Sequence, residues 1–451
     1  MNSFYLKNLI LQNYRSFADI NINLNKRMNV VIGKNSSGKT TILEAAAVML
    51  GAYLAAYGTY VPSRYVFNIS KNDPLLKPQK EKMTDYLLAS VPQYPCVVGG
   101  DLQWGGLKET EEKILHYKRM VAVEEGRTKF DGNNPMQGFV RTWEYKIERA
   151  DGSDKAVVLP IVLYLSSARL WNEDKKAELN EIPIRTDGYR NCLAKKHGMQ
   201  FVFDYIKIIK NIANEENPDF NRIYHRLMEA VKNGLKDEIA PDDNIIYSSR
   251  YNDIAIQRKD KLVIKFDALS DGYRNVIKII LDIAVRMCIL NPYLKENALE
   301  QTPGVVLIDE IDLSLHPTWQ RRIIRILKET FPKVQFICAT HSPYIVQSLQ
   351  EGELIKLSGE DEDEILYCGK SIEDISENVM DVSDPRHSEK QEEMYQAAKE
   401  YFDALGKAEK QEELPKLKKR MDLLSLYYSD NPAYIALIEQ KYLQKKMELE
   451  N

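Results

Sequence analysis

Cysteine is scarce in this chain. Five occur in 451 residues (Cys96, Cys192, Cys288, Cys338, Cys368), and none forms a C-x-x-C pair. That excludes a disulfide scaffold and predicts a cytoplasmic protein with buried thiols. Excess charge is small as well: 62 Lys and Arg against 66 Asp and Glu leave a net charge of −4. The whole-molecule field therefore does not draw in nucleic acid, and any such contact needs a local basic patch or a basic partner. No sustained heptads and no internal repeat occur, so a long coiled-coil arm is not expected. Long apolar runs are nearly absent too. The one candidate, Ala45 to Val61, holds Gly51 and Gly58 and follows Lys39-Thr40-Thr41, which predicts a buried helix rather than a membrane span. Met1-Asn2-Ser3 lead straight into a strand-like pattern, so no signal peptide is expected.

What is present is an ordinary globular composition, 44% hydrophobic and 28% charged, long enough to bury a sizeable core. Residues Phe4 to Leu24 alternate in polarity and predict two strands joined by a polar bend at Asn13–Phe17. Met28–Ile32 reads as a buried parallel strand, followed by a helix from Lys39 to about Ala56. Between 57 and 265 strand-like pieces fall at Tyr94–Trp104, Arg141–Glu148 and Val157–Leu165, and helix-like pieces at Glu109–Val121, Gln200–Asn214 and Pro218–Asn233. Regular patterning then returns. Leu262–Phe266, Gly304–Ile308 and Val334–Ala339 read as strands, and Asn275–Leu290 and Thr318–Thr330 as helices, an alternation that implies a parallel α/β sheet. Gly359 to Glu364 is an acidic turn, and beyond Ser371 the chain is charged and amphipathic. The expected division is 1–56 and 261–370 as two halves of one core, 57–260 as an inserted α/β lobe and 371–451 as a small helical interaction domain.

Four motifs carry chemistry. Gly33-Lys34-Asn35-Ser36-Ser37-Gly38-Lys39-Thr40 fits G-x-x-x-x-G-K-[ST], with a strand before it and a helix after it, and Thr41 continues the helix. Glycines let backbone N–H groups converge on phosphate oxygens, and the helix N-terminus favours the anion. Lys39 reaches the β- and γ-phosphates and Thr40 a Mg²⁺ ion, so ATP and Mg²⁺ are the expected cofactors. Val305–Ile308 delivers Asp309 and Glu310 at a strand's C-terminal end, where α/β sheets place ligands. Asp309 suits the metal and Glu310 a general base acting on water. Leu269-Ser270-Asp271-Gly272-Tyr273-Arg274-Asn275 opens a helix, and Ala339-Thr340-His341-Ser342-Pro343 ends a strand.

In that order the motifs resemble those of ABC-type ATPases, the group containing SMC, RecF and OLD-family proteins. The resemblance implies an ABC-type P-loop ATPase head of α/β class. Ser270 and the amides near Gly272 would contact a γ-phosphate, with Asp271 replacing a usual glycine. His341 corresponds to the switch histidine, and Ser314-Leu315-His316-Pro317 to the D-loop, either a cross-dimer contact or a helix-start turn set by Pro317. The resemblance places Tyr14, Arg15 and Phe17 near the adenine; a polar hairpin bend with a core Phe17 is the other reading. The family's Q-loop glutamine is missing: Ser166-Ser167-Ala168-Arg169-Leu170-Trp171 stands at its place, with Arg169 either a phosphate contact or a structural ion pair. Since P-loop and signature normally face each other across an ABC-type dimer, a homodimer sharing two ATP is implied.

A narrower resemblance rests on Leu165–Trp171, on Gly188-Tyr189-Arg190-Asn191-Cys192-Leu193 and on the tail with Glu377–Val382. It is to the PtuA family, the ATPase subunits of Septu anti-phage systems. It implies a defence complex in which ATP state controls a partner HNH nuclease (PtuB-like) that cuts DNA. The six histidines are dispersed and form no HNH-like cluster, and no acidic triad of TOPRIM type follows the core. Leu423–Tyr428 with Tyr434, Ile435, Leu437 and Ile438 would form the nuclease dock, unless that stripe packs within its own chain. Lys416–Arg420 would meet phosphate or form a solvated face. The alternative function is a RecF-like DNA-repair ATPase without a dedicated nuclease.

Overall fold

The computed structural model describes residues 3–58, 61–78, 90–105, 112–138, 140, 157–170, 179, 181–196, 198–214, 217–251, 253–357, 369–380, 389–407, 414–427 and 432–450. The expected strand at 141–148 and the acidic turn at 359–364 lie outside them. Two compact units are present, Met1–Ile375 and Ser376–Asn451.

The first unit is built on two five-stranded sheets. In the first, β1 (Phe4–Tyr14) pairs antiparallel with β2 (Phe17–Asn23) through the predicted bend, Tyr14 facing Phe17. The second is parallel. Its inner strand β3 (Met28–Ile32) is buried at every position, as a strand covered on both faces must be. Between the sheets runs α1 (Lys39–Ala55), packed on strands of both. This explains its unbroken apolar sequence: buried from Thr41 to Leu54, it has no water-facing stripe to keep polar. Among the described residues no helix is long and apolar enough to cross a membrane.

Segment 57–260 supplies strands to both sheets. After the small pair β4 (Leu76–Pro78) and β5 (Ser90–Pro92) come β6 (Cys96–Gly105), β7 (Glu112–Val121) and β8 (Lys129–Phe130), completing the antiparallel order β2-β1-β6-β7-β8. The helix expected over Glu109–Val121 is thus corrected to a strand across its described part. Leu115, Tyr117, Arg119 and Val121 point inward while Ile114, His116 and Lys118 point out, a period of two. The charge-rich run Glu109–Lys113 imitates a helix start, and pairing with β6 from Cys96↔Val121 to Gly105↔Glu112 overrides it. Next, β9 (Ile161–Leu165) joins the parallel sheet, followed by α2 (Gln200–Asn214), α3 (Pro218–Leu235) and a meander of β10 (Asn244–Ser248), β11 (Asp253–Gln257) and β12 (Val263–Lys265).

The rest alternates as expected: α4 (Asp271–Leu290), β13 (Gly304–Ile308), α5 (Pro317–Thr330), β14 (Val334–Ala339), α6 (Pro343–Gln347) and β15 (Leu354–Lys356). The parallel order is β15-β3-β14-β13-β9, in register at Ile308↔Cys338 and Ile308↔Leu165, which brings the strand ends of 165, 308 and 338 to one edge. The phosphate loop and both acids leave the sheet there. Cys96, Cys192, Cys288 and Cys338 are free and buried.

The second unit contains α7 (Glu389–Lys407), α8 (Leu414–Tyr427) and α9 (Pro432–Glu450). Its core holds Ala398, Tyr401, Leu405, Leu417, Met421, Ile438 and Tyr442, with Ile435 packed against it. The apolar stripe therefore divides. Ile435 and Ile438 pack within the chain, whereas Leu423 and Leu437 are exposed. The side chains of 424–428 and of Tyr434 lie outside the described residues. Around Leu417, Lys416, Lys418, Lys419 and Arg420 form an exposed face.

Candidate functional site: a phosphate cradle at the sheet edge

Residues 33–38 turn from β3 into α1 with Ser36 at φ +68° and Gly38 at φ +100°, left-handed values that favour glycine at the second. A Cβ on Gly38 would lie 2.6 Å from Phe17 Cζ, so the ring of Phe17 closes one wall of the loop. Lys39 Nζ donates to Gly33 O (2.9 Å) and Lys34 O (3.1 Å), which holds the ammonium at the mouth of the loop. Burial pulls its pKa down, against the pull of Glu310, Asp309 and Asp312.

The acids follow from β13. Asp309 is buried, and Thr40 Oγ1 lies 3.2 Å from both of its carboxylate oxygens. Burial raises the Asp309 pKa, so a cation beside it would favour the charged form. Thr40 and Asp309 offer two hard oxygen donors, the kind Mg²⁺ takes alongside phosphate and water. Among the described residues no group of three His, Cys, Asp or Glu forms a metal cage.

Glu310 stands at φ +48°, a conformation costly for a residue with a side chain. Its carboxylate is one-third exposed and lies 3.9 Å from His341 Nε2. Burial and then Asp312 push its pKa up, toward the range a general base needs. A cavity of ≈ 400 Å³ gathers Arg15, Ser16, Asn35, Ser36, Gly38, Lys39, Thr40, Thr41, Glu310 and His341. The residues expected from three of the motifs thus meet in one place.

Ser270 and Gly272 do not line it. Exposed Ser270 begins α4 without capping it and lines a different cavity with Leu269 and Tyr273. A Cβ on Gly272 would come 3.0 Å from Ser314 O, so the glycine lets signature and D-loop segments touch. In the D-loop segment Pro317 takes the first helical position of α5, and His316 Nδ1 accepts from Thr318 N at 3.4 Å.

The adenine candidates separate. Tyr14 is wholly buried, which removes it from any base site, and Phe17 is half-buried against Gly38 rather than in the core. Arg15 lines the cavity while bridging buried Glu44 and Asp73, the latter at 2.9 Å. Arg169 does not line the cavity and, among the described residues, forms no ion pair. It is buried, its pKa is pushed down to about 10 by burial, and it donates to the carbonyls of Ser166, Asp309 and Glu310 and to Asn275 Oδ1. The Gly188–Leu193 segment is a strut: Arg286 of α4, paired with Asp282 at 2.6 Å, donates to Gly188 O and Arg190 O, and Tyr189 OH meets Tyr53 OH of α1 at 2.8 Å.

Sequence reasoning missed Glu44 and Asp312. Asp312 accepts from Thr340 Oγ1 at 2.5 Å, and Ser342 N donates to the same hydroxyl at 3.0 Å, which ties the His341 turn to the acid loop. The spacing Asp309-Glu310-x-Asp312 was the available signal.

Comparisons with known proteins bear on the family. Residues 8–261 match the family described as "AAA domain", and a second AAA-domain family matches residues 176–347. The chain is similar to "Retron Vc95 probable ATPase" of Vibrio cholerae serotype O1 biovar El Tor, at 25% identity over 79% of this chain and 73% of that protein. It is also similar to "Septu protein PtuA" of Bacillus mycoides (strain KBAB4), at 33% identity over 37% of this chain and 21% of that protein. Among solved structures, an SMC head bound to the C-winged helix domain of ScpA aligns over 78% of this chain and 93% of its own, at 16% identity and a TM-score of 0.46.

Proposed function

Because the chain belongs to the AAA-domain family and is an ATPase of the RecF-, OLD- and SMC-like group, we propose that it drives an anti-phage defence complex of Septu type. Two copies would hold two ATP molecules between them and control a partner HNH nuclease that cuts DNA. Lys39 and the loop 33–38 bind the triphosphate, and Thr40 and Asp309 hold Mg²⁺. Bound there, the ion neutralises charge on the β- and γ-phosphates. Glu310 takes a proton from the attacking water, with His341 beside the γ-phosphate. Arg15 lies toward the base.

One observation carries the shared-site reading. The phosphate cavity gathers residues of the phosphate loop with Glu310 and His341 but none of the signature, and Ser270 lines another cavity with its hydroxyl free of the helix it begins. A second copy supplies what the first lacks. Mixing Lys39→Ala protein with Ser270→Arg protein tests it. Each is inactive alone, and a mixed pair contains one intact site, so turnover is expected to return on mixing. No recovery would overturn the shared site.

We assign the HNH nuclease to the second unit, where Leu423 and Leu437 stand exposed. DNA cutting should require both proteins and be lost with Leu423→Glu while ATP turnover persists. Turnover stimulated by DNA in the lone protein, with no nuclease in its complex, would favour a repair role instead.

A further inference from the structure

Arg169 follows the end of β9 and is 5% exposed. Nε donates to Asn275 Oδ1 at 2.9 Å, Nη1 to Ser166 O at 3.1 Å and Asp309 O at 2.5 Å, and Nη2 to Glu310 O at 2.7 Å. All four acceptors are neutral. A buried guanidinium ordinarily takes a carboxylate, so this placement costs stability, and its effect lies in what it joins. On one side is the peptide that carries both acids. On the other is the first turn of α4.

Asn275 is wholly buried and uses its other end as well: Nδ2 donates to Leu313 O at 2.7 Å. Leu313 N in turn donates to Glu310 O at 2.9 Å. A closed ring results, running from Asn275 through Arg169 to Glu310 O, then through Leu313 back to Asn275. Glu310 sits in this ring at φ +48°.

We propose that Arg169 and Asn275 form a relay that converts engagement of Ser270 in one copy into placement of Glu310 in the same copy, so that the two nucleotide sites of a pair hydrolyse in concert. The inference rests on the shared-site reading above. Ser270 immediately precedes α4, which is buried without interruption from Asn275 to Leu290, so that a displacement of its start would be carried along the helix. A shift of its first turn displaces Asn275, and Asn275 cannot move without Arg169 and Leu313. Both bond to the main chain of Glu310, where a small peptide rotation swings the carboxylate relative to His341. Ser270 reads the γ-phosphate of the site opposite, so occupancy there sets the base here. Arg169 and Asn275 line no part of the phosphate cavity and are positioning residues.

The test compares wild type, Asn275→Ala, Arg169→Lys and the double variant. Turnover is measured against ATP, and affinity is measured separately by titration with a fluorescent non-hydrolysable ATP analogue. Wild type should respond sigmoidally, with a Hill coefficient between about 1 and the two-site limit of about 2. Each single variant should become hyperbolic and lose about tenfold in kcat while analogue affinity stays within about threefold. The double variant should be no worse than the worse single, because members of one relay are not additive. Sigmoidal turnover surviving in the single variants, or additive losses, would overturn the relay. A hyperbolic wild type whose specific activity ignores protein concentration would instead remove the shared site, and the relay with it. If Asn275→Ala is unfolded at the assay temperature, Asn275→Asp keeps the shape and the acceptor for Arg169 but loses the donor to Leu313, and must show the same loss of sigmoidality.

Discussion

At the scale of single residues, the acids of this site are governed by burial. Glu310 keeps an elevated pKa and an otherwise unfavourable backbone, so its substitution should separate binding from chemistry. Glu310→Gln is expected to lower kcat by about 100-fold or more while leaving ATP affinity nearly unchanged, read by phosphate release and by analogue titration. Asp253 gives a stability prediction. Burial, with Asp267 adding to it, raises its pKa from 3.8 to about 6. The folded chain then holds a proton that the unfolded chain has released, so stability falls as pH rises from 3.8 to about 6. Asp253→Asn still accepts from Ile254 N; it should flatten that slope and raise the denaturation midpoint at pH 7. The residues proposed to meet phosphate could be named from the sequence because that chemistry demands particular types: glycine for close approach, lysine for charge, paired acids at a strand end. The contacts of Arg169 and Asn275 could not, since they act through carbonyls and an amide that any sequence supplies, and only the fold shows which they reach.

At the scale of elements, the loop between β3 and α1 depends on what Gly38 lacks. Gly38→Ala forces a side chain onto φ +100° and against Phe17, at a cost of about 1–3 kcal/mol. Analogue affinity should fall, and adding Phe17→Ala should recover the share due to the clash while leaving the backbone share. Helix α1 gives the complementary test. Met49 is fully buried in it, and Met49→Ala should cost about 2–5 kcal/mol by denaturant unfolding. Elements with a clear period were readable, α2 and α3 among them. β7 was not, because a charged lead-in outweighed the alternation of Leu115, Tyr117, Arg119 and Val121, and its pairing with β6, from Cys96↔Val121 to Gly105↔Glu112, is invisible to local pattern. Buried Arg119 in that strand donates to Val48 O and Phe67 O and so fastens β7 to α1, another contact that residue type does not announce.

At the scale of the whole molecule, the proposed shared site would make activity a property of assembly. Specific turnover should rise with protein concentration and saturate, and Ser270→Arg should abolish that rise without weakening analogue binding to Lys39 and Thr40. Assays of turnover across dilution, beside light scattering, check both. The overall order of strands and motifs was readable because parallel strands are apolar throughout and the phosphate loop must lie between a strand and a helix. The contribution of 57–260 to both sheets was not, since nothing local marks which sheet a strand joins.

Helix α1 lies between two sheets, with almost no part of its length touching solvent. Its amides should be among the slowest in the molecule to exchange for deuterium, surrendering only when the whole first unit opens. A triphosphate landing on such an anchor finds nothing there that yields. Whatever news of its arrival reaches the remainder of the protein must leave through the segments bonded around it: the Glu310–Leu315 turn, the turn at His341 and the start of α4.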